Sequence, residues 1–317
     1  MDVIPIVDFV KLSTQNGRTP SREDWISVAA EVDKALSSIG FVYLINHDID
    51  EVKISRAFET SKQFFELPIE VKKKYLKDST KHHYGYVCPG QELLNPESVH
   101  EVRESYDFPF FYKSDDWKEN ASLEAANMEL KSECKPVLKK ILKALAISLE
   151  LQDEDFFINA SKNIDDHSQG SYSAFRTIYY PQIGDDVEPN TVRLGAHSDY
   201  GVVTILFQDN VGGLQVRNVD SKWVPATPIP GSILINTGDL LEFWSNGYYP
   251  ATKHRVLIPE AELRKKTTRQ SIVYFHHPDD SAMVTPLTTK NPTAENAYEE
   301  INAGEYAKNR LNSTYKY

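Results

Sequence analysis

Apolar residues recur at helical spacing in the first half of the chain and in short alternating runs in the second. Trp25, Val28, Ala29, Val32, Ala35, Leu36 and Ile39 form one stripe. It predicts a helix opened by Ser21, with Glu23 and Asp24 in its first turn, and closed at Gly40. Phe41–Ile45 is short and β-rich, as in a buried strand, and Ile4–Phe9 alternates as another. Val52, Phe58 and Phe65 mark a helix over Asp50–Glu66, which ends before Pro68. Lys72–Lys77 continues as a short basic helix, with Lys72, Lys73 and Lys74 on a solvated face. From Lys81 to Asp107 the residues Gly85, Pro89, Gly90 and Pro96 break the periodicity and predict one long loop, in which His82 and His83 are solvated. Ala121–Leu151 is a long helix with the stripe Cys134, Val137, Leu138, Ile141, Leu142, Leu145 and Leu149, and Pro136 is expected to kink or split it.

From Ser171 the texture changes to short β-rich runs separated by Gly, Pro and Asn. They are Tyr172–Tyr180, Val192–His197, Val202–Gln208, Gly213–Asn218, Trp223–Pro228, Ser232–Asn236, Leu240–Trp244, Lys253–Ile258 and Gln270–His276. Strands at this spacing predict a sandwich or jelly-roll barrel. Glu305–Leu311 reads as a helix. The expected fold is mainly β with flanking α. Residues 1–115 are an N-terminal region of helices and short strands packed on the barrel. Residues 116–170 are a long helical segment, 171–280 the jelly-roll core, and 281–317 a C-terminal extension with a helix.

The 317 residues suffice for a large core without disulfide staples. Formal net charge is −11, and the basic residues form only short runs, so a nucleic-acid partner is not expected. The first residues carry no secretory leader pattern, and no apolar run approaches a membrane span. Two isolated cysteines, Cys88 and Cys134, suit a reducing compartment, so a cytoplasmic protein is expected.

His197-Ser198-Asp199 stands at a strand end, where residues two apart face the same side. One imidazole and one carboxylate are two parts of a facial triad that leaves positions open on Fe(II), and His254 on a later run is a candidate third. The pattern is short, and His277-Pro278-Asp279 repeats it in what reads as a turn. Arg269 and Ser271 share a face, and a guanidinium with a hydroxyl is a receptor for a carboxylate. Arg103-Glu104-Ser105 repeats that pattern, and a surface salt bridge is the alternative for Arg269. In Phe175–Pro181, alternation puts Arg176, Ile178 and Tyr180 together, and an inward face would let the Tyr180 hydroxyl meet an anion.

Arg-x-x-Tyr-Tyr-Pro, His-Ser-Asp-Tyr-Gly, Gly-Gly-Leu-Gln-Val, Asn236-Thr237-Gly238-Asp239, Lys-His-Arg-Val and Arg-Gln-Ser occur in that order. Ile4–Phe9, Gly40–His47 and Glu104–Asp107 precede them. The ordered set resembles the non-haem iron, 2-oxoglutarate-dependent dioxygenases of the isopenicillin N synthase-like family over nearly the whole chain. The resemblance implies a double-stranded β-helix (jelly-roll) core. It implies Fe(II) held by His197, Asp199 and His254, and 2-oxoglutarate held at its far carboxylate by Arg269 and Ser271, with Tyr180 as a third contact. O2 is then the oxidant, 2-oxoglutarate leaves as succinate and CO2, and a small organic substrate is hydroxylated or desaturated. Ile178 stands where plant members carry asparagine, and an insertion such as Ala261–Lys266 lengthens the interval before the clamp. Tyr200, Phe275 and Arg176 are expected around the substrate, with Tyr84, Tyr86 and Tyr106 over the mouth. A 2-oxoglutarate-independent iron oxidase and a non-catalytic small-molecule binding protein are the alternatives on the same fold.

Overall fold

The computed structural model describes residues 3–77, 84–92, 100–108, 121–166, 170–183, 191–258, 267–290 and 298–314. His82, His83 and the expected insertion 261–266 lie outside them. Strand β1 (Ile6–Asp8) leads to helix α1 (Arg22–Ile39). The Ser21 hydroxyl accepts from the Asp24 amide and the Asp24 carboxylate accepts from the Ser21 amide, the reciprocal cap its first turn predicts. Gly40 ends the helix at φ 68°, and a Cβ there would lie 2.5 Å from the Pro250 carbonyl oxygen. The chain passes directly into β2 (Phe41–Ile45), then α2 (Glu51–Phe65) and α3 (Ile69–Lys72).

Three strands, β3 (Gly85–Val87), β4 (His100–Glu101) and β5 (Glu104–Phe108), occupy the stretch expected to be one loop. Every residue of β5 is buried, charged ones included, so no apolar–polar alternation betrays the strand. Helix α4 (Ala121–Ser148) runs through Pro136 as one element. Its stripe from Cys134 to Leu145 is wholly buried, and that packing outweighs the missing amide at Pro136. After α5 (Phe156–Asn159) come β6 (Ala174–Tyr180), β7 (Thr191–Val192), β8 (Leu194–His197), β9 (Val203–Gln208), β10 (Leu214–Arg217), β11 (Trp223–Pro225) and β12 (Ser232–Thr237). The run Leu240–Trp244, expected as a strand, is part of helix α6 (Asp239–Trp244). Leu240, Leu241 and Trp244 are buried at helical spacing, and Asp239 and Glu242 place acid in the first turn, where it favours a helix. The chain closes with β13 (His254–Val256), β14 (Arg269–His276), β15 (Met283–Val284), β16 (Ile301–Asn302) and α7 (Ala303–Thr314). Among the described residues no helix is long and apolar enough to cross a membrane.

Eight strands form the larger sheet in the order β1-β2-β12-β9-β14-β6-β5-β3, and four form the smaller, β11-β10-β13-β8. The N-terminal region thus supplies both flanks of the larger sheet as well as the helices outside it. Strand alternation sorts the core into two layers. Ile272 and Tyr274 of β14, Phe175 and Tyr179 of β6 and Ile233 and Ile235 of β12 face helices α1, α2 and α4. Val273, Ile178, Tyr180 and Leu234 face the smaller sheet, against Leu194, Leu214, Val216 and Val256. This is a jelly-roll core with a helical layer on one side.

A charged network is buried where β5 meets β6. Arg176 binds both oxygens of Asp107 and reaches Glu92 at 2.8 Å. Arg103 pairs with Glu92 at 2.8 Å and Glu101 at 3.3 Å, and Lys77 with Asp107 at 2.7 Å. Lys72, expected on a solvated face, is buried against Glu104 at 2.5 Å. Burial pushes the Glu92 and Asp107 carboxyls up, but Arg176 and the neighbouring cations outweigh it and hold both below the usual range. Their stabilisation is therefore complete above their unfolded values near 4 and is lost as pH falls through the lower folded values. Changing Asp107 to Ala removes a buried carboxylate shared by Arg176 and Lys77, and is expected to cost about 3–5 kcal/mol. Urea unfolding should show a lower midpoint at unchanged slope, and the Asp107→Asn protein a flatter decline of stability below about pH 4.

Candidate metal centre

Strands β8 and β13 pair antiparallel with His197 opposite His254, so the two imidazoles lie side by side with centroids 4.3 Å apart. Asp199 follows two residues after His197, where the chain turns toward β9. Its Oδ1 lies 3.8 Å from His197 Nε2 and 3.7 Å from His254 Nε2. The remaining polar atoms are tied back. His197 Nδ1 is 2.8 Å from the Gly195 carbonyl and His254 Nδ1 is 3.1 Å from the Thr252 carbonyl. A carbonyl only accepts, so each Nδ1 carries the proton and each Nε2 offers its lone pair. Asp199 Oδ2 accepts from Thr204 Oγ1 at 2.6 Å and Asn236 Nδ2 at 2.7 Å, which leaves Oδ1 for the centre.

Burial, then the neighbouring His254, push the His197 pKa down, so its imidazole is neutral. Burial pushes Asp199 up, but the two histidines and the Asn236 and Thr204 donors outweigh it and keep the carboxylate ionised. Among the described residues, His197, Asp199 and His254 are the group whose ligand atoms gather, all within 4.8 Å of one another. Two imidazole nitrogens and a carboxylate oxygen converging from one side fit a divalent first-row ion with positions left open opposite them. Gly238 is required here, since a Cβ on it would lie 2.3 Å from the Gly201 carbonyl oxygen. That closeness lets the Asp239 amide donate to the Asp199 carbonyl at 2.8 Å and hold the turn. Changing Asn236 to Leu frees one side of Asp199 and is expected to weaken metal binding about 10- to 100-fold, read by chelator competition.

Two cavities meet at His197 and Asp199. The first, about 420 Å³, runs between the sheets to Tyr180, Arg269 and Ser271. Arg269 is buried, with its Nη1 3.5 Å from Ser271 Oγ and its guanidinium 4.9 Å from the Tyr180 ring centroid. Its Nε is buried without a hydrogen-bond partner, a donor suited to an anion. The second cavity, about 550 Å³, is lined by Glu92, Arg176, Tyr200, Phe275, His277 and Leu311 among others. Phe275 borders both cavities.

The description "2OG-Fe(II) oxygenase superfamily" matches residues 171–278, and "non-haem dioxygenase in morphine synthesis N-terminal" matches residues 4–129. The proline hydroxylase buaE of Petromyces alliaceus is 32% identical over 89% of this chain and 91% of its own. The chain belongs to the 2OG-Fe(II) oxygenase superfamily. It is an oxidoreductase whose family chemistry uses Fe(II), 2-oxoglutarate and O2. The homoarginine-6-hydroxylase of Glycine max is 29% identical to this oxygenase, over 96% of this chain and 93% of its own. A full-length Neurospora crassa protein crystallised with alpha-KG (2-oxoglutarate) superposes at a TM-score of 0.83. It is 29% identical, covering 98% of this chain and 96% of that one.

Of the residues the sequence singled out, the oxygenase brings His197, Asp199, His254, Arg269, Ser271 and Tyr180 to the first cavity. Tyr200, Phe275 and Arg176 line the second. Arg176 is engaged by Glu92 and Asp107, and Tyr200 is held from α7 by Thr314 at 2.8 Å and by the Arg310 guanidinium over its ring. Tyr106 and Tyr86 do not reach the mouth. Both are buried on the helix side of the larger sheet against Phe64, because strand pairing of β3 and β5 turns them inward. Of the decoys, Asp279 accepts from the Asn163 amide at 2.8 Å, and Arg103 is held in the buried network. Thr204, Asn236, Glu92 and Leu311 were missed, and His277, read as part of a turn, lines the second cavity. Of the four missed residues, Asn236 carried a signal, as part of the ordered run Asn-Thr-Gly-Asp.

Proposed function

We propose that His197, Asp199 and His254 hold the iron, and that Arg269, Ser271 and Tyr180 bind the far carboxylate of 2-oxoglutarate. The second cavity then takes a small organic substrate, with Tyr200, Phe275 and Arg176 in its wall. The observation that carries this reading is the Asp199 carboxylate. One oxygen is fixed by Thr204 and Asn236, and the other is turned between two Nε2 atoms whose rings are locked by backbone carbonyls. Bound iron would activate O2, the oxidant, and 2-oxoglutarate would supply two of its electrons and leave as succinate and CO2. The protein's own contribution is placement and dryness. The Arg269 fork orients the co-substrate along the first cavity, apolar Leu206, Leu214 and Val256 exclude water from it, and Phe275 sets the boundary with the substrate.

Hydroxylation is favoured over desaturation, because relatives are named for hydroxylating homoarginine and proline. A Neurospora crassa neighbour holds thymine, which supports a compact polar substrate rather than nucleic acid or membrane. We assign the catalytic core to 171–280 and treat 1–115, 116–170 and 281–317 as its flanking regions. Two free cysteines support a reducing, cytoplasmic setting.

The test is anaerobic addition of Fe(II) and then 2-oxoglutarate to metal-free protein, followed by visible absorption. A weak metal-to-ligand charge-transfer band that needs both additions is expected. Bound iron without the band would overturn the co-substrate assignment in favour of a 2-oxoglutarate-independent oxidase. Failure to bind iron would overturn the triad in favour of a binding protein.

A further inference from the structure

Four arginines are buried among the described residues: Arg103, Arg176, Arg193 and Arg269. Arg103 and Arg176 are bracketed by Glu92, Glu101 and Asp107. Arg193 and Arg269 are not. Arg193 is 0% exposed and precedes β8, the strand that carries His197. Its Nη2 donates to the Thr267 carbonyl at 2.7 Å, two residues before Arg269. The link therefore joins the strand of the metal centre to the strand of the anion clamp. The Nε and Nη1 of Arg193 are buried with no hydrogen-bond partner, as is the Nε of Arg269.

Burial and then the neighbouring Arg269 disfavour the charge on Arg193, and Tyr180 and Asp209 favour it. Asp209 is occupied by backbone amides, those of Gln270 at 2.5 Å and Val211 at 3.0 Å. Among the described residues no carboxylate oxygen comes within 4.0 Å of either guanidinium. Three buried donors without acceptors, beside two cations and one shared acid, leave an excess of positive charge at the far end of the first cavity. A buried charge of that kind is costly unless an anion meets it.

We propose that Arg193 is a second cation of the co-substrate site, a positioning residue whose charge, alongside Arg269, selects 2-oxo acids that end in a carboxylate. Arg193 does not line the cavity, so it acts through the field it adds and through Thr267, which leads into Arg269. In a buried site that field is weakly screened, and a ligand whose one carboxylate lies at the distant metal end gains little from it. This rests on the 2-oxoglutarate assignment of the Arg269 cavity.

The test is calorimetric titration of the full-length, Mn(II)-loaded protein with two probes. They are 2-oxoglutarate and 2-oxopentanoate, which has the same chain length with a methyl in place of the far carboxylate. Arg193→Met is expected to weaken 2-oxoglutarate binding about 10- to 100-fold, while 2-oxopentanoate shifts by less than about threefold. Arg193→Lys should restore most of the loss by keeping the charge. The ligand-free Arg193→Met protein should unfold at no lower temperature than the parent, because an uncompensated buried charge has been removed. Equal weakening of both probes with a lower Tm would overturn the proposal and make Arg193 merely structural. Unchanged 2-oxoglutarate binding in both variants would overturn it as well. A parent protein that binds neither probe would instead remove the co-substrate assignment on which the proposal stands.

Discussion

Replacing Asp199 with alanine is expected to abolish iron-dependent release of succinate from 2-oxoglutarate. The loss should exceed about a thousandfold, because the change removes an ionised ligand and leaves two neutral ones. Metal analysis after gel filtration should show little bound iron, and the anaerobic charge-transfer band should be absent. The fold should survive. Thr204 and Asn236, the partners of Asp199 Oδ2, lie on the paired strands β9 and β12, whose backbone ladder does not depend on Asp199. Retained turnover in a folded Asp199→Ala protein would remove the triad from the mechanism. Asp199→Asn is a sharper control. It keeps shape and one acceptor but loses the charge, and its amide faces donors from Thr204 and Asn236, so it should bind iron poorly as well.

Replacing Arg269 with methionine should leave iron binding intact and raise the concentration of 2-oxoglutarate needed for half-maximal succinate release by about 100- to 1,000-fold. That range is the cost of losing a buried, two-pronged, charge-assisted contact, about 3–4 kcal/mol. Methionine preserves most of the volume packed on Tyr180 and so separates charge from packing. The substrate requirement should move little, because Arg269 belongs to the first cavity and not the second. Parallel losses for both compounds would show a collapsed cavity rather than a lost clamp.

The helices with clear apolar stripes were legible in the sequence because their burial follows a period. Ser21, Gly40 and the stripe from Trp25 to Ile39 all agree with α1. The strands from β6 to β14 were legible because Gly, Pro and Asn punctuate them, whereas the two-residue strands β15 and β16 are too short to carry a pattern. The stretch from Lys81 to Asp107 was not, since its strand β5 buries Glu104 and Asp107 in ion pairs with Lys72 and Lys77, which are distant in sequence. Local pattern has no access to Arg176 as the counter-charge of Asp107. Leu240–Trp244 misled for a related reason: a short apolar run reads alike in a strand and in one and a half turns of helix. At the site, side chains two apart on strands could be paired from alternation. Thr204 and Asn236 could not, because they reach Asp199 from neighbouring strands of the other sheet.

The order of strands in the larger sheet also has a temporal side. Ile45 pairs with Ser232, roughly two hundred residues later, and β2 sits between β1 and β12. At ribosomal speeds the first partner waits about 10–40 s for the second. During that wait Phe41, Val42, Tyr43 and Leu44 form an apolar strand whose β12 edge has no partner, the kind of segment that draws other chains. Nascent chains of this protein thus carry an unpaired apolar strand edge from the synthesis of residue 45 until residue 237 is released.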